Sequence, residues 1–306
     1  MKLNPKYNGR YVDGAGGARL FVEENGDPTK PTILWIHGYS QCRLSWDNQF
    51  ENEDLVSKFH MIRLDLRGHG LSDKLSGPAA FQDGKIWAED IRAVISTLRL
   101  NKPVLVGWSY GGHIICDYIR HYGQENLGGL IFVAAATEMG RDEANTLIGA
   151  KFLQLVPGLF STDYATGSAA LQEFIGMATY EELDAHTFYY LVGFNSVTLP
   201  ASRQGMFMRE LDNGAVLQAI KVPSLLIHGK DDRIVLPAYS DYIARHIPHV
   251  SRVDYEHCGH MPFVEAAAEF NRDVAAFMQR VHGVVSPNPE NSVSPSPAPP
   301  RPHPGR

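Results

Sequence analysis

The chain reads as an α/β fold: a mostly parallel, doubly wound sheet with helices on both faces and a helical segment inserted before the last strands. Three observations predict it. Short apolar runs of strand length alternate with stretches whose apolar residues recur at helical spacing. A serine stands at the apex of a glycine-bounded turn, Gly107-Trp108-Ser109-Tyr110-Gly111-Gly112, with a strand run before it and helical spacing after it. From about residue 138 to 218 the alternation stops, and no clear strand appears.

Taken in order, residues 1–18 are polar and glycine-rich, with Gly14, Gly16 and Gly17 marking a turn. Arg19–Glu23 reads as an early strand and Thr32–Ile36 as a buried one. A helix is expected through Trp46, Phe50, Leu55 and Val56. Met61–Asp65 is the next strand, and the following helix carries Trp87, Ile91, Val94, Ile95 and Leu98 on one face. Pro103–Val106 is the strand before Ser109; Ile114, Ile115, Tyr118 and Ile119 mark the helix after it. Leu130–Val133 is another strand. Strands resume at Pro223–His228 and Val250–Val253, and a last helix carries Val264, Phe270, Val274, Phe277 and Met278. Parallel strands need crossover connections, so helices must cover both faces. In such sheets functional groups gather at the carboxyl ends of the strands.

This divides the chain into a core (1–137), a helical lid (138–218), the rest of the core (219–283) and a tail (284–306). The tail is dominated by Pro, Ser and Asn, cannot bury a core, and is expected to be disordered. The lid is rich in Phe, Tyr, Leu and Met, which mostly serve its own packing.

The formal net charge is −6, with no basic run along the folded part, which argues against nucleic acid or an anionic membrane as partner. Cys42, Cys116 and Cys258 are odd in number and far apart, as expected of free thiols in a reducing compartment. The first residues carry no apolar signal segment, and nothing reaches membrane-spanning length, so a cytoplasmic protein is expected. No metal-ligand cluster or phosphate-binding glycine loop is present, so no cofactor is implied. Oligomeric state is not legible.

The turn around Ser109 carries the chemistry. A sharp strand-to-helix reversal forces its apex into a strained backbone conformation, and side chains two positions away on either side would collide; Gly107 and Gly111 have none. The serine hydroxyl is thereby lifted above the sheet edge at a helix N-terminus, where N–H groups favour developing negative charge. A serine nucleophile needs a general base, and the base needs an orienting carboxylate. Of 13 histidines, His260 stands out in a Gly-His-Met-Pro turn just after a strand. Asp232 stands out at the end of the preceding strand, with Asp231 its neighbour.

With these residues in hand, the sequence resembles the α/β-hydrolases across roughly residues 20–282. The matching motifs are His37-Gly38, Asp65-x-Arg67-Gly68-His69-Gly70-x-Ser72, the elbow at Ser109, Gly229-x-x-Asp232 and Gly259-His260. His37-Gly38 followed by Ser45-Trp46 and Gln49 is similar to the branch of aryl esterases and cofactor-free haloperoxidases. Trp108 and Tyr110 flank the serine where that branch often has other residues. The resemblance implies a triad of Ser109, Asp232 and His260, the offset from Gly229 selecting Asp232 over Asp231; Glu138, after the strand that follows the elbow, stands where some members place the acid instead. It also implies an oxyanion hole from the backbone N–H groups of Tyr39 and Tyr110. Asp65, Arg67 and His69 read as a structural loop, His37 as a brace for the oxyanion loop, and His257 as a poor base. Trp108, Phe152 and Phe207 are expected to line the substrate pocket, with Met206 and Met208 softening it or packing lid against body.

The function implied is hydrolysis of carboxylic esters with an apolar acyl or aryl group. Its alternatives are a lactonase or a perhydrolase using the same triad, and, from another class, a ligand receptor on a hydrolase fold, against which an intact triad argues. The partner expected is a small ester or lactone.

Overall fold

The computed structural model describes residues 7–283; the tail expected at 284–306 lies outside the described residues. Eight strands form one sheet: β1 (Asn8–Asp13), β2 (Arg19–Asn25), β3 (Thr32–Ile36), β4 (His60–Leu64), β5 (Val104–Trp108), β6 (Gly129–Val133), β7 (Ser224–Gly229) and β8 (Ser251–Tyr255). Their order is β1-β2-β4-β3-β5-β6-β7-β8. The first two pairings, β1 with β2 and β2 with β4, are antiparallel, and the others are parallel. Every residue of β3, β4, β5, β6 and β7 is buried. That is why they read as near-continuous apolar runs.

Two expectations need correction. Residues 8–13, read as part of a polar turn region, form an edge strand. Only Val12 in it is buried, so the strand is held by its ladder to β2 and leaves no apolar signature. The single helix expected after β3 is three pieces: a 3₁₀ turn (Arg43–Trp46), one helical turn (Asp47–Phe50) and a short helix (Glu53–Lys58). Asn52 interrupts it, because its side-chain oxygen accepts from Leu55 N and starts a new helix.

Between β6 and β7 the chain forms helices Asp142–Asn145, Ala150–Leu159, Tyr164–Gly176, Ala185–Ser196, Pro200–Phe207 and Gly214–Ala219. Asp163 caps the third, accepting from Thr166 N, and Asp184 caps the fourth, accepting from His186 N and Thr187 N. Pro200 starts the fifth at a position where its missing N–H costs nothing.

The loop from Asp65 to Ser72 is a polar frame. Asp65 accepts from Arg43 and from Leu71 N, and Arg67 forks onto Asp90 while also reaching Ala15 O. Asp65 and Arg67 thus meet structural partners, and His69 Nδ1 lies 2.8 Å from Arg67 O.

Candidate active site

Ser109 sits between β5 and the helix Gly111–Tyr122 with φ 53°, the left-handed region that favours glycine. Its N–H donates to Val133 O at 2.9 Å, and its carbonyl accepts from Gly112 N at 3.0 Å and Ala136 N at 3.1 Å. These bonds hold the strained apex. A Cβ on Gly107 would lie 2.6 Å from Gly111 O, and one on Gly111 would lie 2.9 Å from Ile36 O, so the turn closes only on glycine.

His260 follows β8. Its N–H donates to Ala178 O at 2.8 Å, and its carbonyl accepts from the Trp108 indole at 2.9 Å. Its Nδ1 lies 2.7 Å from Asp232 Oδ2. An ionised carboxylate only accepts, so Nδ1 carries the proton and Nε2 is the accepting nitrogen. Neither Nε2 nor Ser109 Oγ hydrogen-bonds to a described residue.

Asp232 is buried beyond the end of β7. Its Oδ1 accepts from Ile234 N at 2.8 Å and Val235 N at 3.1 Å. Burial pushes its carboxyl up, but the His260 and His228 rings outweigh that and pull it down to about 2. His228 is a partner that sequence reasoning missed. Its Nε2 stands 2.9 Å from Val235 O and 3.1 Å from Asp232 Oδ2, and its Nδ1 stands 2.7 Å from Ser240 Oγ. A carbonyl cannot donate, so Nε2 carries the proton and the Ser240 hydroxyl donates to Nδ1. The only sequence signal was a histidine four residues before Asp232, at the end of a strand, where nothing distinguishes it from a packed core residue.

Of the alternative acids, Glu138 accepts from Asn213 N and the Tyr242 hydroxyl and does not touch His260. Asp231 is partly exposed and anchors the turn through its N–H to Cys258 O. His257 is exposed, with φ 51°. His37 Nε2 accepts from Leu66 N, and its Nδ1 meets Gly38 O at 2.8 Å, next to Tyr39; burial pushes this ring down to about 4, so it stays neutral.

The backbone N–H groups of Tyr39 and Tyr110 donate to no described acceptor. Both residues, with Ser109, line a cavity of about 210 Å³. Its other walls come from the insertion and from the turn after Asp232: Ile148, Phe152, Leu153, Phe174, Phe207 and Val235 among them. Glu138 and Asn145 are among its polar groups. Trp108 does not line it, which corrects the expectation. Its ring packs edge-on to Phe263 at 4.7 Å and beside His260 at 5.4 Å, so it buttresses the histidine from behind. Met206 is fully buried and Met208 is 55% exposed; neither lines the cavity, whereas Met139 does. Among the described residues, no three or more His, Cys, Asp or Glu side chains are grouped to hold a metal ion. No described helix is long and apolar enough to cross a membrane.

The family model of the Alpha/beta hydrolase family matches residues 33–273. The chain belongs to that family. This hydrolase also resembles a solved Burkholderia cenocepacia protein described as an aryl esterase, at 30% identity over 90% of this chain and all of that one, with a TM-score of 0.85. The esterase RhEst1 from Rhodococcus sp. ECU1013 is 29% identical, with 89% of this chain and 99% of that one covered and a TM-score of 0.83. The bifunctional esterase/perhydrolase DCH of Acinetobacter calcoaceticus is 27% identical, with 88% of this chain and 99% of its own length covered. The hydrolase thus shares its fold and nearly its full described length with enzymes named as esterases.

Proposed function

We propose that this ester hydrolase is a serine esterase acting through an acyl-enzyme on Ser109. The observation that carries the reading is the buried Asp232–His260 pair, whose ring keeps an accepting Nε2, packed against the residue next to an elbow serine that opens on an apolar cavity. Ser109 Oγ attacks the ester carbonyl and His260 Nε2 takes its proton. The developing oxyanion is bound by the N–H groups of Tyr39 and Tyr110. The intermediate collapses, and His260 returns the proton to the departing alcohol. Water, deprotonated by His260, then releases the acid and frees Ser109. Asp232 fixes the tautomer and balances the imidazolium.

Residues 138–218 act as the lid. Phe152, Phe174 and Phe207 form an apolar acyl or aryl pocket, smaller than the ~300–1,000 Å³ of a typical drug-sized site. Peroxide in place of water as acyl acceptor is the second reading, favoured by the Acinetobacter relative's double name.

The test is Ser109→Ala with an organophosphonate label. Labelling confined to Ser109, and loss of p-nitrophenyl ester turnover in a folded variant, support the reading. Labelling elsewhere, or turnover at the wild-type rate in the variant, sinks it. Adding peroxide and assaying peracid separates the two acceptors.

A further inference from the structure

The oxyanion residues have side chains as well as N–H groups, and both are tied to one place. The Tyr39 hydroxyl donates to Arg203 O at 3.1 Å, and the Tyr110 hydroxyl donates to Met206 O at 3.3 Å. Both carbonyls belong to the insertion helix Pro200–Phe207. Met206 O is among the last four carbonyls of that helix, which lack intrahelical partners, so the tyrosine supplies the missing donor. The tie is reinforced at each end. Arg203 Nε donates to Ser40 Oγ at 2.8 Å, and Ser40 follows Tyr39 with φ 64°. Arg209, just beyond the helix, donates from Nη1 to the Tyr110 oxygen at 3.1 Å and from Nη2 to both Asp117 oxygens. The helix is itself pressed on the core: a Cβ on Gly205 would fall 2.4 Å from Pro78 O.

We infer that Tyr39 and Tyr110 are positioning residues through their hydroxyls. By fastening both oxyanion N–H donors to the helix Pro200–Phe207, they make that helix the ruler that sets the distance between the donors. This rests on the oxyanion roles proposed above. An oxyanion hole works only if its donors are preorganised where charge develops. Here one donor sits after β3 and the other after β5, on separate loops, and a single rigid element spans both. Phe207, on the same helix, lines the cavity, with its ring 6.1 Å from that of Tyr39. An acyl group that pushes on Phe207 therefore pushes on the ruler, and the pocket's occupant is read at the reacting carbonyl.

The experiment uses Tyr39→Phe, Tyr110→Phe and the double variant, which keep the rings and lose only the hydroxyls. The expected result is a fall in kcat of about tenfold per hydroxyl, part of the ~10²–10³ lost when a donor is removed outright. KM should stay within about twofold, since the loss is confined to the transition state. Affinity for a trifluoromethyl ketone of matched acyl group, which forms the tetrahedral adduct, should fall in step with kcat/KM. Unchanged kcat, or a rise in KM alone, overturns the inference, because the hydroxyls would then only shape the pocket. Should a phenylalanine variant fail to fold, Ser40→Gly replaces it. Glycine accepts the left-handed backbone and removes the Arg203 tie, and the same kcat-selective loss is expected. Organophosphonate labelling of Ser109 is run on every variant. No labelling in the wild type defeats the esterase reading itself; normal labelling with unchanged kcat defeats this inference alone.

Discussion

The two sides of the candidate site are built differently, and of its three core residues only Ser109 lines the cavity itself. On the core side, Ser109, Asp232 and His260 are buried at strand ends, and each is held by backbone or side-chain hydrogen bonds. On the insertion side, the lining includes Phe152, whose ring stands 5.3 Å from that of Phe174 and 6.4 Å from that of Phe207. The insertion also leaves Tyr164 86%, Tyr189 65% and Met208 55% exposed. Hydrogen bonds are directional and fix atoms to tenths of an ångström; apolar contacts are not and tolerate repacking. The core side therefore suits the proposed chemistry, and the insertion side suits the proposed choice of acyl group.

The sharpest way to break this comparison is on the core side. Asp232→Asn is expected to lower kcat about ten-thousandfold, because the amide stabilises the wrong tautomer of His260. Glu138→Gln and Asp231→Asn should stay within a few-fold, as neither touches His260. Steady-state kinetics on one p-nitrophenyl ester decides it, and a crippled Glu138→Gln would reassign the acid.

On the insertion side, Phe152→Ala and Phe207→Ala should lower kcat/KM for octanoate ten- to hundredfold, of the order of a few lost methylene contacts at about 0.8 kcal/mol each. Acetate should change less than about threefold. Across a series from acetate to decanoate, the wild type should rise and then fall before decanoate, since the cavity is only about 210 Å³. A monotonic fall from acetate onward removes the insertion from specificity.

Stability sharpens the contrast. His228→Phe takes a donor from a buried carboxylate, a loss of about 1.5–3 kcal/mol, while His228→Gln keeps one and should restore most of it. Denaturant midpoints measure both, and equal losses would mean the ring only fills space. The Asp232 carboxyl, held at about 2 against an ordinary 3.8, also gives a pH signature. A depressed carboxyl contributes stability fully above its unfolded value and loses it as pH falls through the folded one. The stability gap between wild type and Asp232→Asn should be constant above about pH 4 and close between about pH 4 and 2. A gap still open below that range would contradict the pairing.

The smallest effect is expected at a cap. Asp163→Ala removes the N-cap of the insertion helix Tyr164–Gly176 and should cost about 1 kcal/mol. Acetate turnover should be untouched. Hydrogen exchange should rise in that helix and not in the Ser109 helix; a rise in both would show that the two sides unfold as one unit.

Most of the core was legible because each of its local needs forces a residue type. Strands buried on both faces are mostly apolar, so β3 to β7 announced themselves. The elbow needs glycine at 107 and 111, and a turn after a buried strand brings Asp232 to its end. The β1 edge strand was not legible, since an antiparallel ladder at the sheet margin demands no particular side chains. The broken helix after β3 was missed because its apolar spacing continues across Asn52 while the cap does not.

The sequence by itself singled out the candidate catalytic groups and the elements on which they stand, because backbone strain, burial and chain order are local or sequential constraints. Only the tertiary structure decided what those groups touch. Trp108, adjacent to the serine, turns away to brace His260; His228 joins Asp232; and two tyrosine hydroxyls reach carbonyls 164 and 96 residues away. The indole and tyrosine contacts pair side chains with acceptors carried by every residue of the chain. A backbone carbonyl has no sequence signature, so only folding shows which one lies within reach.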